Sequence, residues 1–187
     1  MGVTAIEECS NGVGEQVSTL IDTLSIVLQP HSAIFVSGPV SSGRRMYLEK
    51  NRSVPPQELE NQNVEELESF ARVLRNRITN PVICAAKLRI NKWPGKNYTL
   101  LFRRVLEKFV IETWFKDDWE FSTGSVNEMK ICLDLHIPCR SENGESLTSM
   151  KAKQLCLAAK ATLDTDGIIH NKLQKAHNRL IMSVEDF

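Results

Sequence analysis

Four short apolar runs alternate with longer segments of helical period, and that alternation is the strongest constraint on the fold. The runs are residues 33–36 in SAIFVSGP, PVICAA at 81–86, FVIETWF at 109–115 and HIPCR at 136–140. Each is too short for a helix and ends in glycine, proline or polar turn chemistry, as buried strands do. Between them lie helical patterns. Val64, Leu67, Ala71, Leu74 and Ile78 share one face of a segment at 58–78. Further helices are expected over 98–109 and 125–135. Strands separated by helices of this length connect as right-handed βαβ units around a parallel sheet, with helices on both faces. A helix with Val17, Leu20, Ile21, Leu24 and Leu28 on one face precedes the first strand, and Pro30 stops it. Two more helical patterns follow the last strand. The expected organisation is a helical extension at 1–31, an α/β domain at 32–148 and a helical extension at 149–187.

In an open parallel sheet, ligands bind beyond the carboxyl ends of the strands. Two post-strand loops carry chemistry there. The first, SGPVSSGRR at 37–45, offers glycines for close backbone approach, the hydroxyls of Ser37, Ser41 and Ser42, and the guanidinium groups of Arg44 and Arg45. It lacks both the Walker lysine pattern and G-x-G-x-x-G. The second, KDDWEFSTGSVNE at 116–128, runs into a helix start, where unpaired amides attract anions. Ser125 and Glu128 are spaced as a capping box, and Glu128 is equally placed to be a site carboxylate. Asp117 and Asp118 are candidates for a general acid or base. Trp93, Tyr98, Trp114 and Trp119 are candidates to stack on a base, and Trp119 and Trp93, both in polar loops, are the better placed.

Charge narrows the ligand. Lys+Arg and Asp+Glu both number 23, so no polyanionic partner such as a nucleic acid is expected, and any anion site must be local. Five cysteines occur without a C-x-x-C pair and in no ligand spacing with the histidines. No metal or cofactor is expected, and reduced thiols fit a cytoplasmic location. No apolar run reaches the length of a membrane span, and the N-terminus lacks the pattern of a secretory signal.

Taken together, IFVSGPVSSGRR and W-E-F-S-T-G-S-V-N-E-M-K-I-C-L-D-L-H-I-P resemble the nucleoside 2-deoxyribosyltransferase-like superfamily. The shared pattern is S-x-G-x-x-x-E at a helix start, here Ser122, Gly124 and Glu128, running on into the next strand. The resemblance spans about residues 32–148. It implies a flavodoxin-like three-layer sandwich with a parallel sheet of four to five strands. It also implies that Glu128 attacks the anomeric carbon of a sugar and displaces a base, as a carboxylate nucleophile does in retaining glycosidases. A serine at position 122 is the pattern of the 2′-deoxynucleoside 5′-monophosphate N-glycosidases, where it binds the 5′-phosphate. Arg44, Ser41 and the amides near Gly124 would complete that phosphate site. Ser37, Gly38, Pro39 and Val40 would lie along the sugar and base, with Trp119 beside them. Members carry an aspartate early in the helix before the third strand. Here NYTLLFRRVLEKF holds no acid before Glu107, which leaves Asp118 or Asp117 for that role, and Lys87, Arg89 and Lys92 make the preceding loop basic. The resemblance also covers base-exchanging transferases and implies a homodimer or larger homo-oligomer. A nucleotide-binding module that has lost the acid is the non-catalytic alternative.

Overall fold

The computed structural model describes residues 4–47, 53–88, 90 and 93–184, with backbone only for 4–13. Its elements are α1 (Thr4–Val27), β1 (Ala33–Ser37), α2 (Arg44–Tyr47), α3 (Pro56–Arg75), β2 (Val82–Cys84), α4 (Gly95–Phe109), β3 (Val110–Phe115), α5 (Thr123–Asp134), β4 (Cys139–Ser141), α6 (Ser149–Thr165) and α7 (Asn171–Ser183). The four strands are parallel and ordered β2-β1-β3-β4. This is a flavodoxin-like three-layer α/β sandwich. Every expected strand is present. The lead before Val17 is part of α1, and Arg89 and Lys92 lie outside the described residues.

β1 is central and buried along its whole length, so it reads as an unbroken apolar run rather than an alternating one. Its neighbours are β2, in register at Ile34–Val82, and β3, in register at Ser37–Phe115. Strand order reverses between β1 and β3, and the crevice of a doubly wound sheet opens at that reversal. The loops after β1 and β3 therefore meet.

The two faces are covered unequally. α3 closes one face, packing Leu67, Phe70, Ala71 and Leu74 over Val36 and Cys84. Its first turn holds Pro55 and Pro56, whose missing amides cost nothing at a helix start. The other face carries the larger core. There Phe35 and Phe115 of the sheet meet Leu101, Val105 and Leu106 of α4 and Val126, Met129 and Cys132 of α5. α1 packs on α4, and α7 packs on both α5 and α6. The C-terminal helices thus extend the α5 side of the sandwich.

Two features shape the switch-point loops. Asn63 of α3 donates from Nδ2 to the Val40 carbonyl at 3.0 Å, holding the post-β1 loop to the sheet. Gly38 has no room for a side chain: a Cβ there would stand 2.8 Å from both Leu67 Cδ1 and Lys116 Cβ. Gly38→Ala is therefore expected to destabilise the protein by about 1–3 kcal/mol. Gly14→Ala is the control, because its Cβ meets nothing within 4 Å in the middle of α1. It is expected to stabilise by about 0.5–1 kcal/mol. Chemical denaturation of the two variants checks both signs.

Candidate active site

The turn after β3 explains how α5 is aimed. Asp118 adopts a left-handed conformation with φ of 64°, which aspartate tolerates better than most residues. A single 3-10 turn, Trp119–Phe121, follows, and both of its aromatics are buried. Trp119 is 3% exposed and its ring packs on Phe115 with centroids 5.2 Å apart. The tryptophan expected beside the ligand is instead the anchor of the turn, because burying an indole outweighs leaving it in a wet crevice. Trp93 packs edge-on against Tyr98 at 5.6 Å.

α5 starts at Thr123, two residues before the expected start, and Ser122 is its N-cap. Ser122 Oγ accepts from the Ser125 amide at 3.4 Å. Glu128 takes no part in the cap. Its carboxylate Oε2 accepts from Ser37 Oγ at 2.5 Å, across 91 residues of sequence. The capping-box reading fails because the cap is occupied one turn earlier, which frees Glu128 to face the end of β1.

Glu128 is 5% exposed. Burial pushes its carboxyl up to about 7, and the Ser37 hydrogen bond partly offsets that rise. The carboxylate lies on the wall of a cleft of about 550 Å³, within the range that holds small ligands. Gly124 keeps the approach open. A Cβ there would lie 3.9 Å from Glu128 Oε1 and 3.8 Å from Ser122 Oγ, so any larger side chain would crowd both groups.

One end of the cleft is rich in donors. Ser41 and Ser42 come from the post-β1 loop, and Ser122, Thr123, Gly124 and Ser125 come from the start of α5. Ser42 Oγ stands 3.4 Å from Ser122 Oγ, joining the two loops. Ser125 is 1% exposed, yet its Oγ has no hydrogen-bond partner, and neither has Thr123 Oγ1. Unpaired buried hydroxyls beside free helix amides make a receptor for an anionic oxygen. The post-β2 segment and α4 supply a mixed wall: Ala85, Tyr98 and Phe102, with Ile131 of α5, are its apolar part, and Lys96 and Thr99 of α4 its polar part.

Of the expected site residues, Gly38, Val40, Ser41, Ser122, Gly124 and Glu128 line the cleft, and Ser37 reaches it through Glu128. Pro39 is buried beneath the loop, where its Cβ would be 2.6 Å from a Cβ at Gly43. Arg44 and Asp118 point elsewhere. They pair with each other at 3.7 Å, and the Arg44 guanidinium sits 5.5 Å over the Phe121 ring. Arg44 therefore does not face the donor-rich end, and Asp118 does not face Glu128. Among the described lining residues, Glu128 is the single carboxylate.

Of the aromatics considered for stacking, Tyr98 lines the cleft; sequence reasoning missed Lys96 and Phe102 of α4, and His170 and Lys172 at the start of α7. The α4 group follows β2, so the rule that pointed to the other post-strand loops applies to it as well. The α7 group follows no strand, and nothing local in its sequence marks it. Among the described residues no cluster of His, Cys, Asp and Glu could hold a metal ion, and no helix is long and apolar enough to cross a membrane. No family model matches the chain, and no curated protein or solved structure matches it.

The raised Glu128 carboxyl is a stability statement with a definite sign. The folded state holds its proton up to about 7, while the unfolded chain releases it near 4.5. The stabilisation linked to this group is complete below pH 4.5 and is lost as pH rises through 7. Glu128→Gln is therefore expected to gain stability relative to wild type between pH 5 and pH 8, by on the order of 2–3 kcal/mol. Paired denaturation curves at the two pH values read the gain directly.

Proposed function

We propose that the protein cleaves the N-glycosidic bond of a nucleoside or 2′-deoxynucleoside 5′-monophosphate, with Glu128 as the nucleophile. The observation that carries this reading is one buried carboxylate, held by Ser37, on the wall of a cleft whose donor-rich end begins one helical turn away. Thr123 and Glu128 are five residues apart on α5, about 7.5 Å of helical rise. That is the scale of a pentose with its 5′-phosphate. The phosphate would meet the first-turn amides of Thr123 and Gly124 and the hydroxyls of Ser122, Thr123 and Ser125, the sugar would lie over Gly124 and Gly38, and the base would sit against Tyr98 and Phe102.

The reaction follows from those placements. A Glu128 carboxylate oxygen bonds to C1′ as the C1′–N bond breaks, and the electron pair leaves with the base. The base takes its proton from solvent through the open side of the cleft, since Asp118 is engaged with Arg44. Water then attacks C1′ and gives up one proton to solvent, the C1′–carboxylate bond breaks, the sugar phosphate departs and the carboxylate is restored. With a second base in place of water, the same intermediate gives a deoxyribosyltransferase. The thiols of Cys84, Cys132, Cys139 and Cys156 are free and buried, in keeping with a reducing, cytoplasmic setting.

One observation favours a second reading. With a single carboxylate among the described cleft residues, the site has a nucleophile and a place for phosphate but no acid beside the leaving base. A module that binds a nucleotide without cleaving it has that composition.

Chromatography of a panel of nucleoside monophosphates incubated with the protein separates the two. Release of free base that is lost by more than about a hundredfold in Glu128→Gln supports the glycosidase. Binding without release supports the module. Because the carboxylate must be ionised to attack, kcat/KM is expected to rise with pH and level off above about 7. Ser37→Ala, which removes the one hydrogen bond that lowers this value, is expected to move that limb to higher pH.

A further inference from the structure

The donor-rich end of the cleft needs a cation if it is to hold a phosphate dianion. Arg44, the residue expected to supply one, is turned away toward Asp118 and Phe121. The start of α7 stands in that place. His170 and Lys172 line the same cleft as Ser41, Ser42 and Ser122. The His170 ring meets Tyr47 of α2 edge-on at 5.6 Å. α2 begins directly after Ser42 and Gly43, so this contact fixes the start of α7 at the donor-rich end. Lys172 has no ion-pair partner among the described residues.

α7 is also braced against the wall that carries the site. His177 is fully buried and donates from Nε2 to the Glu120 carbonyl at 2.7 Å, in the turn that presents Ser122. Arg179 donates to Asn127 Oδ1 at 3.3 Å, and Asn127 is itself a cleft residue. Leu173, Ala176 and Leu180 are buried in the core that α5 also lines. The start of α7 is thus held relative to Ser122 and Ser125, and Ser125, whose buried hydroxyl has no partner, lines the same cleft.

We propose that Lys172, carried by the C-terminal helix of the same chain, is the cation that recognises the phosphate monoester end of the ligand, with His170 beside it. Residues 171–183 are then a wall of the site and not an appendage to the sandwich. This assignment rests on the nucleotide reading for the identity of its ligand, but not on catalysis.

Binding of inorganic phosphate and of the four 2′-deoxynucleoside 5′-monophosphates, measured by calorimetry at low and moderate salt, tests it. Lys172→Ala is expected to weaken phosphate binding about five- to tenfold and to flatten its salt dependence. Lys172→Arg is expected to retain most of the affinity, Arg44→Ala all of it, and the parent nucleosides to be insensitive to Lys172. Unchanged phosphate affinity in Lys172→Ala, a loss in Arg44→Ala instead, or no phosphate binding by wild type would each overturn the assignment. The two proposals fail separately. Lys172-dependent phosphate binding without base release sinks the glycosidase and leaves this site standing. Base release indifferent to Lys172 does the reverse.

Discussion

The hydrogen bond from Ser37 to Glu128 joins the two halves of the molecule on which the site depends. Ser37 is the last residue of the central strand, and Glu128 lies in the helix that follows β3. A lone carboxylate inside this core would be costly to ionise. The Ser37 hydroxyl offsets part of that cost and sets how readily the carboxylate forms. The same bond locks the direction of α5 relative to β1. Around it the close approach at Gly38, the bare surface at Gly124 and the Asn63 contact to Val40 all serve one geometry: two post-strand loops meeting at a strand-order reversal.

The charges near the site are distributed by what each can reach. Arg44 and Asp118 neutralise one another outside the cleft, and Arg45 pairs with Glu66 and Asn63 of α3. The basic pair after β1, which looks like a phosphate clamp in the sequence, is thus spent on holding its own loop. What remains at the cleft is hydroxyls, helix amides and the lysines of α4 and α7. A chain of zero net charge can therefore present a locally positive pocket without a basic face.

The parallel sheet was legible because its central strand is buried on both faces and all four strands stand out as short apolar runs between helical periods. The meeting of the two post-strand loops followed from topology alone. Local letters were a poorer guide. Ser125 and Glu128 have capping-box spacing, yet Ser122 makes the cap because Trp119 and Phe121 bury and start the helix a turn's fraction earlier. Trp119 sits in a polar stretch but is drawn onto Phe115. The contribution of α7 had no local signal at all. It depends on where a helix packs, and the packing is set by Leu173, Ala176 and Leu180, which any amphipathic helix shares.

The central claim is that Glu128 is a buried, single-donor carboxylate poised for chemistry near neutral pH. Carbon-13 NMR titration of side-chain-labelled glutamates, with Glu128→Gln to assign the resonance, measures this directly. The account predicts two glutamates, Glu120 and Glu128, titrating near 7, and the resonance lost in Glu128→Gln is the one expected to move upward in Ser37→Ala. A Glu128 resonance that titrates near 4.5, the ordinary value for a glutamate, and ignores the loss of Ser37 would contradict it.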